Sequence, residues 1–297
     1  MLKRYLFFSV ILTFIIFFWA LPALAEMIVD TAWVRRYNGP GNYQDLVHAI
    51  AVDGSGNVYV TGTSAGSGTS DDYATIKYYP NGDTAWVRRY NGPGNDIDEA
   101  RAIALDSSGN VYVTGWSRGS GTAWDYATIK YNSNGDTAWV RRYNGQGNSG
   151  DNAYAIAVDG SGNVYVTGTS AGSGPGWDYA TIKYYPNGDT GWVRRYKGPG
   201  NSSVAFAIAV DGSGNVYVTG ESYGSGPDRD YATIKYYPNG DTAWVRRYNG
   251  QGNDNDYATA IAIDGSGNVY VTGQSSGSGT SWDYATIKYL AMETPPG

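Results

Sequence analysis

The sequence contains no cysteine, and that absence sets the first limits. No disulfide can staple the fold, no thiolate can hold zinc, and no cysteine nucleophile is available. Histidine is nearly as scarce, with His48 alone in 297 residues. Charged residues make up only 16%, and phenylalanine occurs 6 times against 28 tyrosines and 42 glycines. No stretch beyond the first 25 residues has a helical period long enough to build a helix. What is left is the composition of a sheet protein with many tight turns, held by packing alone. An aromatic content of 15% separates it from a disordered glycine-rich chain.

The beginning differs from the rest. Lys3 and Arg4 precede an apolar run from Tyr5 to Ala20, followed by Leu-Pro-Ala-Leu-Ala ending at Ala25. A basic start, an apolar middle and an Ala-x-Ala exit predict a secretory signal peptide over 1–25. The 16-residue run falls short of the ~20 residues of a membrane-spanning helix. A retained anchor is the alternative. Cleavage removes two of 21 basic residues and no acidic ones, leaving 19 against 27, a net −8. That balance opposes binding to nucleic acid or an anionic membrane. The mature chain, 26–297, is therefore expected to be a secreted, periplasmic or cell-surface protein, monomeric and off the membrane once cleaved.

One stretch organises that mature chain. AIAVDGSGNVYVTG at 49–62 returns nearly unchanged at 102–115, 155–168, 207–220 and 260–273. Trp33, Trp86, Trp139, Trp192 and Trp244 mark the period, spaced by 53, 53, 53 and 52 residues. A fixed period of this size signals a repeat architecture. Each unit reads as four strands: A (AIAVD), B (NVYVTG), C (DYATIKY) and D (TAWVRRY). The turns DGSGN and YPNGD between A and B and between C and D suit tight hairpins. Four antiparallel strands per unit are a propeller blade. A D-type run at 31–37 opens the mature chain and a C-type run, Asp283–Tyr289, ends the last unit. Pairing these two would complete five blades, so an all-β, five-bladed propeller closed by its N-terminal strand is expected. The A runs carry alanine at alternate positions, such as Ala100, Ala102 and Ala104, as crowded innermost strands require.

The pattern A-x-A-V-D-x-x-G-N-V-Y-V-T-G followed by D-Y-x-T-I-K-Y resembles the bacterial SBBP-type β-propeller repeat, a relative of the NHL repeats. The resemblance covers the mature chain and implies a propeller in an exported bacterial protein. It implies no shared catalytic motif.

Several patterns invite a chemical reading. G-x-S-x-G recurs in every unit, as in GTSAG at 62–66. It leads from a strand into a Gly/Ser loop rather than a helix, so it is no nucleophile elbow. DGSGN offers alternate oxygens at Asp53, Ser55 and Asn57 but lacks the further carboxylates of a calcium loop. No metal or cofactor is expected. Asp45, Asp98, Asp151 and Asp256 share one position ahead of strand A, with Ser203 as the fourth-unit equivalent. They would ring the mouth of a central channel, as a cation site, as acid–base carboxylates or as loop-entry hydrogen-bond acceptors. The paired arginines, from Arg35–Arg36 to Arg246–Arg247, are expected to protect an outer edge and pair with nearby aspartates.

The D–A and B–C loops vary where the other turns do not, and strand alternation puts both on one face. That face carries Trp116, Trp124, Trp177, Trp282, Tyr43, Tyr154 and Tyr257 beside acids and amides. Aromatic rings with hydrogen-bonding neighbours suit a carbohydrate. The expectation is a non-catalytic binding or scaffold module for an extracellular glycan or protein. The alternatives are a glycoside hydrolase using Asp98, Glu99, Asp151 or Asp256, and a purely structural envelope protein.

Overall fold

A computed structural model describes residues 30–172, 174–200 and 202–291. The expected signal peptide lies outside the described residues. The chain divides into two units, Met1–Val34 and Arg35–Gly297. In the first, the Thr31 amide donates to the Asp30 carboxylate at 2.7 Å. No helix of the described residues is long and apolar enough to cross a membrane.

Among its described residues the second unit has nineteen antiparallel strands in five sheets. The first sheet comprises β1 (Asp45–Val52), β2 (Val58–Ala65), β3 (Asp71–Tyr78) and β4 (Thr84–Tyr90). The second holds β5 (Asp98–Leu105), β6 (Val111–Arg118), β7 (Trp124–Tyr131) and β8 (Thr137–Tyr143). The third holds β9 (Asp151–Val158), β10 (Val164–Ala171), β11 (Trp177–Tyr184) and β12 (Thr190–Tyr196). The fourth holds β13 (Ser203–Val210), β14 (Val216–Tyr223), β15 (Arg229–Tyr236) and β16 (Thr242–Tyr248). The fifth has three strands, β17 (Asp256–Ile263), β18 (Val269–Ser276) and β19 (Trp282–Tyr289). Within every sheet the strands pair in chain order, as in a meander.

Local chemistry fixes each hairpin. In the first A–B turn, Asp53 accepts from the amides of Ser55 and Asn57, the Asn57 amide group and the Tyr59 hydroxyl. Gly56 follows at φ +80°, a conformation that costs glycine nothing. The carboxylates of Asp106, Asp159, Asp211 and Asp264 repeat these bonds. Four such acceptor bonds fill the carboxylate, so the turn is complete without a cation.

Blades interlock through aromatic side chains. Trp86 packs 6.0 Å from Tyr131 of the next blade, and Trp139, Trp192 and Trp244 repeat the contact. Tyr73 reaches across to donate to the Ala127 carbonyl at 3.1 Å. Tyr126, Tyr179 and Tyr231 do the same to Ala180, Ala232 and Ala285. All four tyrosines are 0% exposed, whereas their fifth-sheet counterpart Tyr284 is 94% exposed.

That contrast carries a correction. The D-type run at 31–37 was expected to form a strand and close the ring on β19, but no strand precedes β1 among the described residues. The outer edge of β19 has no partner among the described strands. Instead Arg35 donates through Nε to the Gly82 carbonyl at 2.7 Å, and Tyr37 accepts from Arg89. Inter-blade contacts hold this end of the run against the first sheet, as Arg88 and Tyr90 are held against the second.

Tyr126→Phe should lower unfolding stability by about 1 kcal/mol, because it removes the shorter of the two side-chain hydrogen bonds to the buried Ala180 carbonyl and leaves only the Thr167 hydroxyl there. Urea denaturation measures this, with Tyr284→Phe as the control, which should change stability by less than about 0.5 kcal/mol.

Candidate functional site

The D–A and B–C loops do share a face. Gly94 donates its amide to the Arg118 carbonyl at 3.1 Å, tying the D–A loop to the end of β6. Gly41, Gly147, Gly200 and Gly252 make the same tie in the other sheets. Below this face lies a polar lock that crosses each of the four complete blades. Arg142 of β8 donates to Ser117 of β6, to Asp125 of β7 at 2.8 Å, and to Tyr90 of the preceding blade. Arg89, Arg195 and Arg247 repeat the pairing with Asp72, Asp178 and Asp230. The second arginine of each of these pairs is thus turned inward. The first, as in Arg88, Arg141 and Arg194, reaches a glycine carbonyl in the next blade's C–D turn.

Asp98, Asp151 and Asp256 belong to this layer and are fully buried. Asp98 accepts from the amides of Gly92 and Arg118, and Asp256 from those of Gly250 and Ser276. Asp151 accepts from Gly145 at 2.7 Å and Asp45 from Gly39 at 3.0 Å. Ser203 holds the same position by donating to the Lys197 carbonyl at 2.7 Å. Burial pushes the carboxyls of Asp98 and Asp151 above the usual range, against the donors that hold them down. The four carboxylates therefore anchor D–A loops to the strands those loops enter.

The inner strands add a feature that the repeat pattern concealed. In β1 the pairing skips from Val47 to Ala49, leaving His48 as the extra residue of a β-bulge. The same skip leaves Arg101 unpaired in β5, Tyr154 in β9, Phe206 in β13 and Thr259 in β17. A bulge re-aims a side chain without breaking the strand. Alanine flanks nearly every one of these positions, yet the bulge residue differs in all five blades. Two positions earlier stand Leu46, Glu99, Asn152, Val204 and Tyr257, again all different. Their partners on the second strands are Thr63, Trp116, Thr169, Glu221 and Gln274. In strands otherwise copied almost letter for letter, variation is gathered around the bulges.

These side chains touch one another in series. His48 Nε2 lies 3.3 Å from Glu99 Oε1 and 3.3 Å from Thr63 Oγ1. Glu99 forms an ion pair with Arg101, whose guanidinium covers the Trp116 ring at 4.4 Å. Trp116 meets Tyr154 edge-on at 5.8 Å, and Tyr154 meets Phe206 at 5.9 Å. A second group follows: Glu221 pairs with Arg229 at 2.8 Å, and Arg229 lies over Tyr223 and Tyr257. Tyr257 in turn packs 5.4 Å from Trp282. Burial raises the carboxyls of Glu99 and Glu221 in opposition to their arginines, and Asp71 adds to the rise at Glu99. Burial raises the Tyr154 hydroxyl as well. Burial first, then the Arg101 charge, lowers His48 and keeps it neutral near pH 7.

Of the residues named from the sequence, Trp116, Tyr154, Tyr257 and Trp282 fall within these groups. Trp124 lies under Arg118 at 5.6 Å, and both Trp124 and Trp177 border Gly150. Tyr43 stands apart in the first D–A loop, 81% exposed. Sequence reasoning missed Arg101, Phe206, Glu221 and Arg229, and passed over His48. Comparing the repeats column by column within the inner strand would have found the bulge positions.

Histidine titration checks the electrostatics. A lowered folded pKa means that stability from neutral His48 is present above 6.5, its ordinary value, and is lost as pH falls through the folded value. The lone histidine should titrate below 6.5 by NMR, and Arg101→Gln should move it upward. A midpoint at or above 6.5 in the unaltered protein would contradict the burial described here.

The described geometry can be set beside known proteins. The SBBP beta-propeller repeat matches at residues 32–68, 85–121, 138–175, 191–227 and 243–279. No curated protein matches the chain in sequence. Among solved structures, a gluconolactonase from Xanthomonas campestris is similar at 11% identity, over 76% of this chain and 69% of that one, with a TM-score of 0.44. The periplasmic gluconolactonase of Pseudomonas aeruginosa is similar at 10% identity, over 80% and 69%, with a TM-score of 0.43. An endo-arabinase from Bacteroides thetaiotaomicron is similar at 11% identity, over 87% and 99%, with a TM-score of 0.42. These neighbours are enzymes, so the expectation of a protein that is not an enzyme is overturned and withdrawn. At such identities they assign this chain no reaction, substrate or catalytic residue. The five repeat matches span most of the length, and the chain belongs to the SBBP beta-propeller repeat family.

Proposed function

We propose that the chain is an exported β-propeller protein that binds an extracellular glycan through its D–A/B–C loop face. The observation that carries this reading is the placement of repeat-to-repeat variation. Blades that are otherwise near copies differ at the bulge residues His48, Arg101, Tyr154, Phe206 and Thr259 and at their immediate neighbours. Partly exposed aromatic rings next to carboxylates, amides and guanidinium groups supply both stacking and hydrogen bonds, as a sugar ring requires. Several similar aromatic positions around the face would add avidity to modest single-site affinity.

A glycan array tests this. Residues 26–297 should bind saturably, and Trp116→Ala or Tyr154→Ala should weaken binding at least tenfold. Tyr79→Ala, in a C–D turn away from this face, should not. A blank array, or binding indifferent to Trp116 and Tyr154, would end the reading. The same array assayed for released reducing ends tests whether recognition is coupled to cleavage.

The ring itself is proposed to close by strand addition at β19. In the four complete blades Tyr73 stands opposite Tyr90, Tyr126 opposite Tyr143, Tyr179 opposite Tyr196 and Tyr231 opposite Tyr248. The same register sets Tyr37 opposite Tyr284. In this cysteine-free chain, Tyr37→Cys with Tyr284→Cys should oxidise to an internally crosslinked monomer. No crosslink, or only linked dimers, would overturn closure.

A further inference from the structure

We infer that the loop face selects uncharged glycans and rejects acidic ones. This rests on the glycan reading and narrows it to a substrate class, from the way that positive charge is used on the face.

The face holds two arginines within its aromatic groups, and each is already engaged. Arg101 pairs with Glu99 and lies on Trp116, and Arg229 pairs with Glu221 at 2.8 Å and lies over Tyr223 at 4.9 Å. Each guanidinium is paired with a carboxylate, so its positive charge is neutralised. The N–H groups left over can donate to a neutral hydroxyl as well as to an anion, and the pair offers an acidic sugar no net attraction. An acidic sugar would have to displace Glu99 or Glu221, or bind beside them, and like charges brought together oppose binding. His48 is neutral at pH 7 and adds no positive charge.

The surroundings add more negative than positive charge. Asp71 at the start of β3 and Asp96, Asp228 and Asp254 in the D–A and B–C loops flank the face, and none makes an ion pair among the described residues. Arg118, at the end of β6 and stacked over Trp124, and Lys197 in the fourth D–A loop are the cations here without an ion pair among the described residues. With four such acids against two such cations, an approaching polyanion is repelled, and more strongly at low salt. Hydroxyl groups meet no such barrier. The carboxylates and the exposed Gln274 amide accept from them, and Trp116, Tyr154 and Phe206 offer apolar surface to a sugar's C–H face.

Matched oligosaccharides that differ only in charge test the inference. Suitable probes are cello-oligosaccharides and their C6-carboxyl forms, xylo-oligosaccharides with and without glucuronate, and methyl-esterified and free oligogalacturonate. Biolayer interferometry at low and moderate salt should show the neutral member of any bound pair at least tenfold tighter, with the gap narrowing as salt rises. Glu221→Gln should also narrow it, by removing a repelling carboxylate. An acidic member bound as tightly as its neutral partner, with affinity lost on adding salt, would overturn the inference while leaving glycan binding intact. Binding to neither member of all three pairs would overturn both. A gap untouched by salt and by Glu221→Gln would overturn the electrostatic basis proposed for it.

Discussion

The structure depends on one arginine in each of its complete blades. Arg142 joins the outer strand of its blade to the two strands inside it and to Tyr90 of the blade before. The innermost strand enters the same layer through Asp98, held by loop amides and by Ser117. A half-buried guanidinium paired with a nearly buried carboxylate is costly to break, because removing either partner strands the other charge. The lock therefore specifies how the strands and the D–A loop meet. Everything above it on the loop face stands on a floor that changes little from blade to blade.

A fixed floor permits variation above it. The bulge in each inner strand lifts one residue out of the pairing register just beyond the Asp or Ser that anchors the strand's start. That residue can be imidazole, guanidinium, phenol, phenyl or hydroxyl while its neighbours remain alanine, with Val47 before His48 the one exception. The result is one scaffold with five different side chains presented at equivalent places. Their contacts run from His48 through Glu99, Arg101, Trp116 and Tyr154 to Phe206, which no single repeat contains.

Much of the fold was legible because the chain states it five times. The spacing of the tryptophans, the Asp-Gly turns and the alternating alanines each pointed to four-stranded blades; four of the five sheets follow that plan and the fifth has three of its strands. The aspartates before each inner strand could be located but not assigned, since a channel-mouth ring and a buried loop anchor require the same residue at the same place. Burial and the amides of Gly92, Gly145 and Gly250 distinguish them. The bulge itself was not legible, because AIAV reads as uninterrupted alternation, although the residue that differs in every repeat marks its position. For that reason the candidates were aromatic residues assigned to loops, of which all but Tyr43 lie in strands, while Arg101, Phe206 and Glu221 were not singled out. Closure of the ring was inferred from strand arithmetic, and the exposed Tyr284 shows what that arithmetic leaves to be satisfied.

The central claim is that the bulge residues are the functional part of a structurally uniform scaffold. The most direct measurement is glycan binding by a variant with His48→Thr, Arg101→Thr, Tyr154→Thr and Phe206→Thr, which gives every blade the residue found at Thr259. The account predicts an unchanged far-ultraviolet spectrum and a cooperative melt, with binding lost across the array. A folded variant that bound as the unaltered protein does would contradict it.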